Sequence, residues 1–181
     1  MEGINQMEKL SASMNQAPQR PIRVLQYGEG NFLRAFVDYM IDIANEKTDF
    51  NGSVALVKPI AMGDLFPAFK EQNYRYTVML RGLVDGEAVE QTRVVTSVAD
   101  AVDAYQDYEQ YAAYAKLDTL RFIVSNTTEA GIVLDESDRI DLCPPNTYPG
   151  KLTKLLYERA EHFSYAQDKG LIILPVELID D

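Results

Sequence analysis

A single cysteine, Cys143, and a single histidine, His162, are the scarcest chemistry-bearing residues of this 181-residue chain. One cysteine excludes an intramolecular disulfide and argues against a cysteine-built metal site. A reducing compartment fits. No pair of ligand-type residues has metal spacing, so no metal is expected. No apolar run reaches membrane-spanning length, and the N-terminus lacks the apolar core of a signal peptide. A cytoplasmic location is the expectation. Basic residues are outnumbered, 17 Lys and Arg against 28 Asp and Glu, for a formal net charge of −11. Phosphate backbones want a basic face, so neither nucleic acid nor a membrane is an expected partner. A small anionic ligand stays open, because local backbone dipoles hold phosphate even inside an acidic protein. The sequence has no internal repeat and no low-complexity segment.

What is present describes a soluble globular domain. Hydrophobic residues make up 46% and charged residues 25%, enough to bury one core. The most informative stretch is Val24-Leu25-Gln26-Tyr27-Gly28-Glu29-Gly30-Asn31-Phe32-Leu33-Arg34-Ala35-Phe36. A short apolar run enters Gly-x-Gly, and a helical pattern follows at once. That is the strand–turn–helix unit of a dinucleotide-binding fold. The first glycine permits the turn, the second lets backbone approach a pyrophosphate, and the helix N-terminus offers free N–H groups. Leu33 stands where the usual motif has a third glycine, so the fingerprint is a variant.

The organisation alternates between strands and helices. Residues 1–20 read as a mobile polar tail, and residues 21–181 as one domain. The pattern predicts a strand over 23–27 and a helix from Asn31 that buries Phe32, Ala35, Phe36, Tyr39, Met40 and Ile43. A buried strand follows over 54–57, then a short helix over 65–70. Two strand-like runs, 76–83 and 88–95, flank Asp85-Gly86, a strong hairpin signal. A tyrosine-rich helix is predicted over 103–117, a buried strand over 121–125, a helix over 148–162 and an apolar strand over 171–176. The expected class is α/β: a three-layer Rossmann-type doubly wound sheet, mainly parallel, with an antiparallel β-hairpin insertion. The sequence stops directly after its last strand, where such folds bind ligands, and we expect a domain of a longer protein.

The candidate cofactor-binding residues are Tyr27, Gly28, Glu29, Gly30, Asn31, Phe32, Leu33, Arg34, Lys58, Asn126, Thr127, Thr128 and Glu129. The glycine loop cradles phosphate, or it is only a tight turn. Arg34 contacts phosphate or ribose, or forms a surface ion pair. Lys58 ends the second strand, where a basic residue suits a 2′-phosphate and leans toward NADP; a solvated lysine is the plain alternative. Ser125-Asn126-Thr127-Thr128-Glu129-Ala130-Gly131 follows a buried strand and suits nicotinamide ribose and pyrophosphate contacts. Its plain alternative is turn capping. His162 fits a helix-end surface or packing group better than a catalyst. Tyr105, Tyr108, Tyr111 and Tyr114 fit a packed helical face, and Asp135-Glu136-Ser137-Asp138 a solvated loop. No residue here is a candidate catalyst.

Gly28-Glu29-Gly30-Asn31-Phe32-Leu33-Arg34-Ala35-Phe36 and Ser125-Asn126-Thr127-Thr128-Glu129-Ala130-Gly131-Ile132 together resemble the mannitol-dehydrogenase family of polyol-specific long-chain dehydrogenases. Tyr148-Pro149-x-Lys151-Leu152-Thr153 and Pro175-x-Glu177-Leu178-Ile179-Asp180 support the resemblance, which runs from Arg23 to Asp181. Within the family they are similar to the branch that interconverts tagaturonate and altronate; mannitol and mannonate relatives tend to carry histidine in the first motif. The resemblance implies hydride transfer with NAD as cofactor and no metal, against the lean of Lys58. It also implies that the acid/base lysine lies in a helical C-terminal domain. Sugar-acid substrate would bind only with that domain, and this chain alone is expected to be inactive, with a weak homo-oligomer from an uncovered apolar face. Alternatives are a nucleotide-binding or regulatory module without catalysis, or the same domain of a fructuronate reductase or mannitol dehydrogenase.

Overall fold

The computed structural model describes residues 10, 18–60, 66–127 and 131–178. In chain order the elements are β1 (Ile22–Tyr27), α1 (Asn31–Leu33), a π-helical segment (Arg34–Asp38), α2 (Tyr39–Lys47), β2 (Ser53–Val57), α3 (Phe66–Glu71), β3 (Tyr76–Val84), β4 (Glu87–Val95), β5 (Val98–Val102), α4 (Tyr108–Ala115), β6 (Phe122–Ser125), α5 (Tyr148–His162) and β7 (Ile172–Pro175). Five strands form one sheet in the order β5-β2-β1-β6-β7, and all its pairs are parallel. β3 and β4 form a separate antiparallel ribbon. No helix among the described residues is long and apolar enough to cross a membrane.

The central strands are apolar on both faces, as parallel strands covered on both sides must be. Leu25, Tyr27, Ala55, Val57 and Ile123 pack on one face with Tyr111 and Tyr114 of α4 and Leu155 of α5. Val24, Val54, Leu56 and Val124 pack on the other with Leu33, Phe69 of α3, and Tyr76, Val78 and Val95 of the ribbon. These are the three layers. Register sets Leu25 between Ala55 and Ile123, and Tyr27 between Val57 and Ser125. A fully buried leucine such as Leu25 contributes about 2 kcal/mol of transfer free energy.

The helix after β1 turns a different face inward from the predicted one. Phe32, Ala35, Phe36 and Met40 are exposed, Tyr39 and Ile43 half-buried, while Leu33, Asp38 and Asp42 are buried. Two causes are visible. The π segment adds residues to a turn and rotates the faces. The ribbon also supplies donors that let carboxylates lie inside. Asp42 Oδ2 accepts from Arg93 Nε at 2.6 Å, and its Oδ1 accepts from the Thr96 backbone and hydroxyl at 2.8 and 2.9 Å.

The hairpin turns at Asp85-Gly86, with φ of +53° and +85°, the left-handed pair that matches strand twist. β5 is absent from the sequence pattern, because Val98-Ala99-Asp100-Ala101-Val102 alternates poorly and carries weak strand formers. Pairing with β2 decides it. α4 therefore starts later than predicted, capped by Asp107, whose carboxylate accepts from Gln110 N. α5 has the predicted bounds. Thr147 caps it, accepting from Gly150 N at 3.1 Å, and Pro149 sits in its first turn, where a missing N–H costs nothing. Arg159 fixes its far end by donating to the carbonyls of Ala115, Leu117, Leu120 and Lys169.

Candidate functional site

Adjacent parallel strands bring two sequence motifs to one rim. Gly28 follows β1 with φ of +123°, and a Cβ there would lie 2.8 Å from the Asn126 carbonyl oxygen. Only glycine fits that approach without strain. Gly28 N donates to Val57 O at 3.1 Å, and Asn126 N to Tyr27 O at 3.0 Å. The loops after β1 and β6 thus touch at the carboxyl ends of the strands, where doubly wound folds bind ligands. Gly30 differs from Gly28: a Cβ built on it meets nothing within 4 Å. Its space is open, and α1 starts at the next residue, where the N–H groups of a first helical turn lack intrahelical partners.

Arg34 is tied down rather than paired on the surface. Its guanidinium lies 5.1 Å from the Phe69 ring centroid and 5.5 Å from that of Tyr76. Its Nη2 donates to Asn31 Oδ1, while its buried Nε has no hydrogen-bond partner among the described residues. Cation–π contact thus holds this charge beside the helix start.

Beneath the loop lies a polar cluster that the sequence did not announce. Gln26 Nε2 donates to Gly28 O at 3.1 Å and to Asp38 Oδ2 at 3.4 Å. The Tyr76 hydroxyl sits 3.0 Å from Arg34 O and 3.1 Å from Asp38 Oδ2, sharing one proton between them. Ser97 Oγ donates to Asp38 O at 2.8 Å. Burial pushes the Asp38 carboxyl up to about 7, although the Tyr76 and Gln26 bonds and the Arg34 charge pull it down. Its Oδ1 and Gln26 Oε1 are buried with no hydrogen-bond partner among the described residues. One carboxyl thus links the glycine loop, the π segment and the ribbon.

Lys58 is not solvated. Its Nζ lies 3.0 Å from Asp103 Oδ2, and the two side chains are 7% and 11% exposed. Asp103 Oδ1 accepts from Tyr105 N at 2.9 Å. Glu29 is half-buried, and burial raises its pKa against the pull of Lys58 and Arg34. A cavity of about 500 Å³ opens beside Asp103, lined by Pro67, Lys70, Val102, Asp107 and Gln110 among others.

On the β6 side, polar groups close a joint with β7. Asn126 Nδ2 donates to Val176 O at 2.7 Å, and Thr127 N to Glu177 Oε2 at 2.7 Å. Thr128 and Glu129 lie outside the described residues. Tyr27 and Leu33 reach the rim only through backbone, since both side chains are buried in the core. The Tyr27 hydroxyl meets that of Tyr111 at 2.7 Å inside the core. Tyr111 and Tyr114 are core residues, and Tyr105 precedes the helix, half-exposed. His162 is exposed at the end of α5. Asp138 is a structural anchor, not a solvated charge, with its carboxylate accepting from Asn146 N, Thr147 N and Thr147 Oγ1. Burial alone would raise its pKa, but these bonds hold it below the ordinary carboxylate range. No group of three or more His, Cys, Asp or Glu suited to a metal occurs among the described residues.

Gln26, Asp38, Tyr76, Asp103 and Glu177 are the site residues that sequence reasoning missed. Asp103 follows a strand with no pattern, and Tyr76 arrives from the distant ribbon. Asp38 lies on a helix face reversed by the π segment. Gln26 and Glu177 had a signal, Gln26 in the stretch that enters the glycine loop and Glu177 in the last motif.

With this geometry in view, the profile of the Mannitol dehydrogenase Rossmann domain matches residues 22–181. The chain belongs to that family. Among relatives of this Mannitol dehydrogenase domain, the altronate oxidoreductase of Bacillus subtilis is 47% identical over 176 residues, 97% of this chain and 36% of the relative. That of Klebsiella pneumoniae is 50% identical over 163 residues, 90% of this chain and 34% of the relative. The chain spans about a third of the length of these relatives. Among solved structures, Pseudomonas fluorescens mannitol 2-dehydrogenase, in ternary complex with NAD and D-mannitol, superposes with a TM-score of 0.69 at 19% identity, covering 87% of this chain and 34% of that one. Substrate-free D-sorbitol dehydrogenase gives 0.66 at 17% identity, covering 88% and 35%. These two likenesses establish the three-layer fold with its ribbon insertion.

Proposed function

We propose that this domain is the NAD-binding part of an altronate oxidoreductase, which interconverts tagaturonate and altronate by hydride transfer. The observation that carries the reading is the 47–50% identity to altronate oxidoreductases across nearly the whole chain. It is joined by a glycine loop whose second glycine faces open space at a helix start. NAD supplies the hydride acceptor when bound. The chain's own residues hold and orient it. The Gly28–Arg34 backbone and the start of α1 take the pyrophosphate through N–H groups and the helix dipole. Arg34, fixed by two rings, adds positive charge beside that start. Asn126 and Thr127 bound the opening on the nicotinamide side, while Lys58 and Asp103 face the adenosine end. Lys151 takes no part in proton transfer. It is fully buried, its Nζ donating to Tyr105 Oη and Asn146 O at 2.7 Å each.

Finer parts of the reading follow from it. Sugar acid binds between this domain and the region of the relatives beyond the matched third. The location is cytoplasmic, consistent with one exposed free thiol, Cys143. Exposed apolar residues, Leu134 at 92% among them, favour weak self-association.

The test grafts this chain in place of the matching segment of the Bacillus subtilis relative. NADH-dependent reduction of tagaturonate at a rate within about tenfold of the intact relative is the expected result. A folded graft that binds no NADH, or that binds it without reducing tagaturonate, contradicts the reading.

A further inference from the structure

The second strand ends in lysine, a residue that suits NADP, whereas the relatives and the proposed function point to NAD. The structure resolves this conflict in a specific way. Lys58 Nζ lies 3.0 Å from Asp103 Oδ2, with both side chains close to fully buried. Asp103 is not a neighbour in sequence. It arrives from the end of β5, which pairs with β2 so that Val57 stands opposite Val102. The Lys58 backbone N–H donates to Val102 O at 3.0 Å, which locks the two strand ends together. Asp103 is held on its other side by Tyr105 N at 2.9 Å, so it cannot swing away without losing a turn.

We propose that Asp103 is the residue that sets NAD over NADP, by masking the charge of Lys58. The inference rests on the proposed dinucleotide site. In a doubly wound fold the adenosine ribose is read at the carboxyl end of the second strand, which is where this ion pair sits. A 2′-phosphate brings close to two negative charges. Here it meets an ammonium already neutralised, with a carboxylate beside it in a weakly screened setting. The surrounding charges do not reverse this. Glu29 is a half-buried acid of the same neighbourhood. The cavity beside Asp103 carries one lysine, the exposed Lys70, and one further acid, Asp107. Arg34 is committed to Asn31 and to two aromatic rings. A ribose bearing two hydroxyls adds no charge and meets no such penalty.

The experiment titrates the 181-residue chain with NADH and with NADPH by calorimetry. Wild type is expected to prefer NADH by at least about tenfold, the scale of one charge-assisted contact. Asp103→Asn keeps the oxygen that accepts from Tyr105 N and frees Lys58. It should tighten NADPH about tenfold while NADH changes about threefold or less. Adding Lys58→Met should abolish that gain, and Lys58→Met alone should leave NADPH no better than in wild type. Asp103→Ser carries the same expectation if the Asn variant melts too low. Binding of neither cofactor by wild type overturns the dinucleotide site itself. NADH binding without discrimination, or an Asn variant that gains nothing for NADPH, overturns only the role of Asp103.

Discussion

Asp38→Asn probes the cluster under the glycine loop. The wild-type carboxyl is raised from 3.8 to about 7, chiefly by burial. A raised acid stabilises the fold fully below its unfolded value, and the contribution is lost as pH rises through the folded one. The window is therefore about pH 4 to 7. At roughly 1.4 kcal/mol per pH unit, the wild type should lose about 2–3 kcal/mol between pH 5 and pH 8 from this group. Asparagine is neutral throughout and still offers an oxygen to Tyr76 and Gln26. Its own stability should lack that component, and it should match wild type within about 1 kcal/mol near pH 4, where Asp38 is protonated in the folded chain and about half protonated in the unfolded one. Urea unfolding of both proteins at pH 4, pH 5 and pH 8 measures this. With a slope of about 2 kcal/mol per molar, the wild-type midpoint should fall about 1 M further than that of the variant. The difference between proteins isolates Asp38 from the repulsion of a chain with net charge −11. Parallel midpoints at pH 5 and 8 would refute a carboxyl that folds protonated.

Gly28→Ala should cost about 1–3 kcal/mol, because φ is +123° and the new carbon would lie 2.8 Å from Asn126 O; an unchanged denaturation midpoint would contradict this. Arg159→Met leaves four carbonyls without their donor and should cost about 3–5 kcal/mol, read as a fall of roughly 10 °C in Tm. A fall under about 3 °C would show that these bonds are dispensable. Phe32, Phe36, Leu134 and Leu178 leave apolar surface exposed, so light scattering across a concentration series should show weak dimers or small oligomers; a strict monomer at high concentration would count against that surface as sticky.

The strands of the main sheet were legible where a short apolar run leads into a turn, as in β2 and β6, and in β1, where Val24-Leu25 and Tyr27 precede the glycine loop. The hairpin was legible because Asp85-Gly86 has one favoured conformation. β5 was not, since its strand character comes from pairing with β2 and not from its own residues. The helix after β1 was placed correctly, but its buried face was not. Periodicity assumes 3.6 residues per turn and apolar burial, and here a π segment and two buried aspartates break both assumptions. For the candidate site, the rim was legible because short motifs specify close backbone approach. Its supports were not. Asp38–Tyr76 and Lys58–Asp103 join residues 38 and 45 positions apart, and only the folded topology makes them neighbours.

The central claim is that Gly28–Arg34 is a dinucleotide loop and not merely a turn. Calorimetric titration of the chain with NADH, beside Gly30→Val, tests it most directly. A Cβ at Gly30 meets no protein atom within 4 Å, so the valine variant should fold and melt as wild type does. Its side chain would fill the space the pyrophosphate needs. Wild type should bind NADH, and the variant should bind it at least about thirtyfold more weakly, a loss of about 2 kcal/mol. Equal affinities in two equally stable proteins, or no heat from wild type, would contradict the claim.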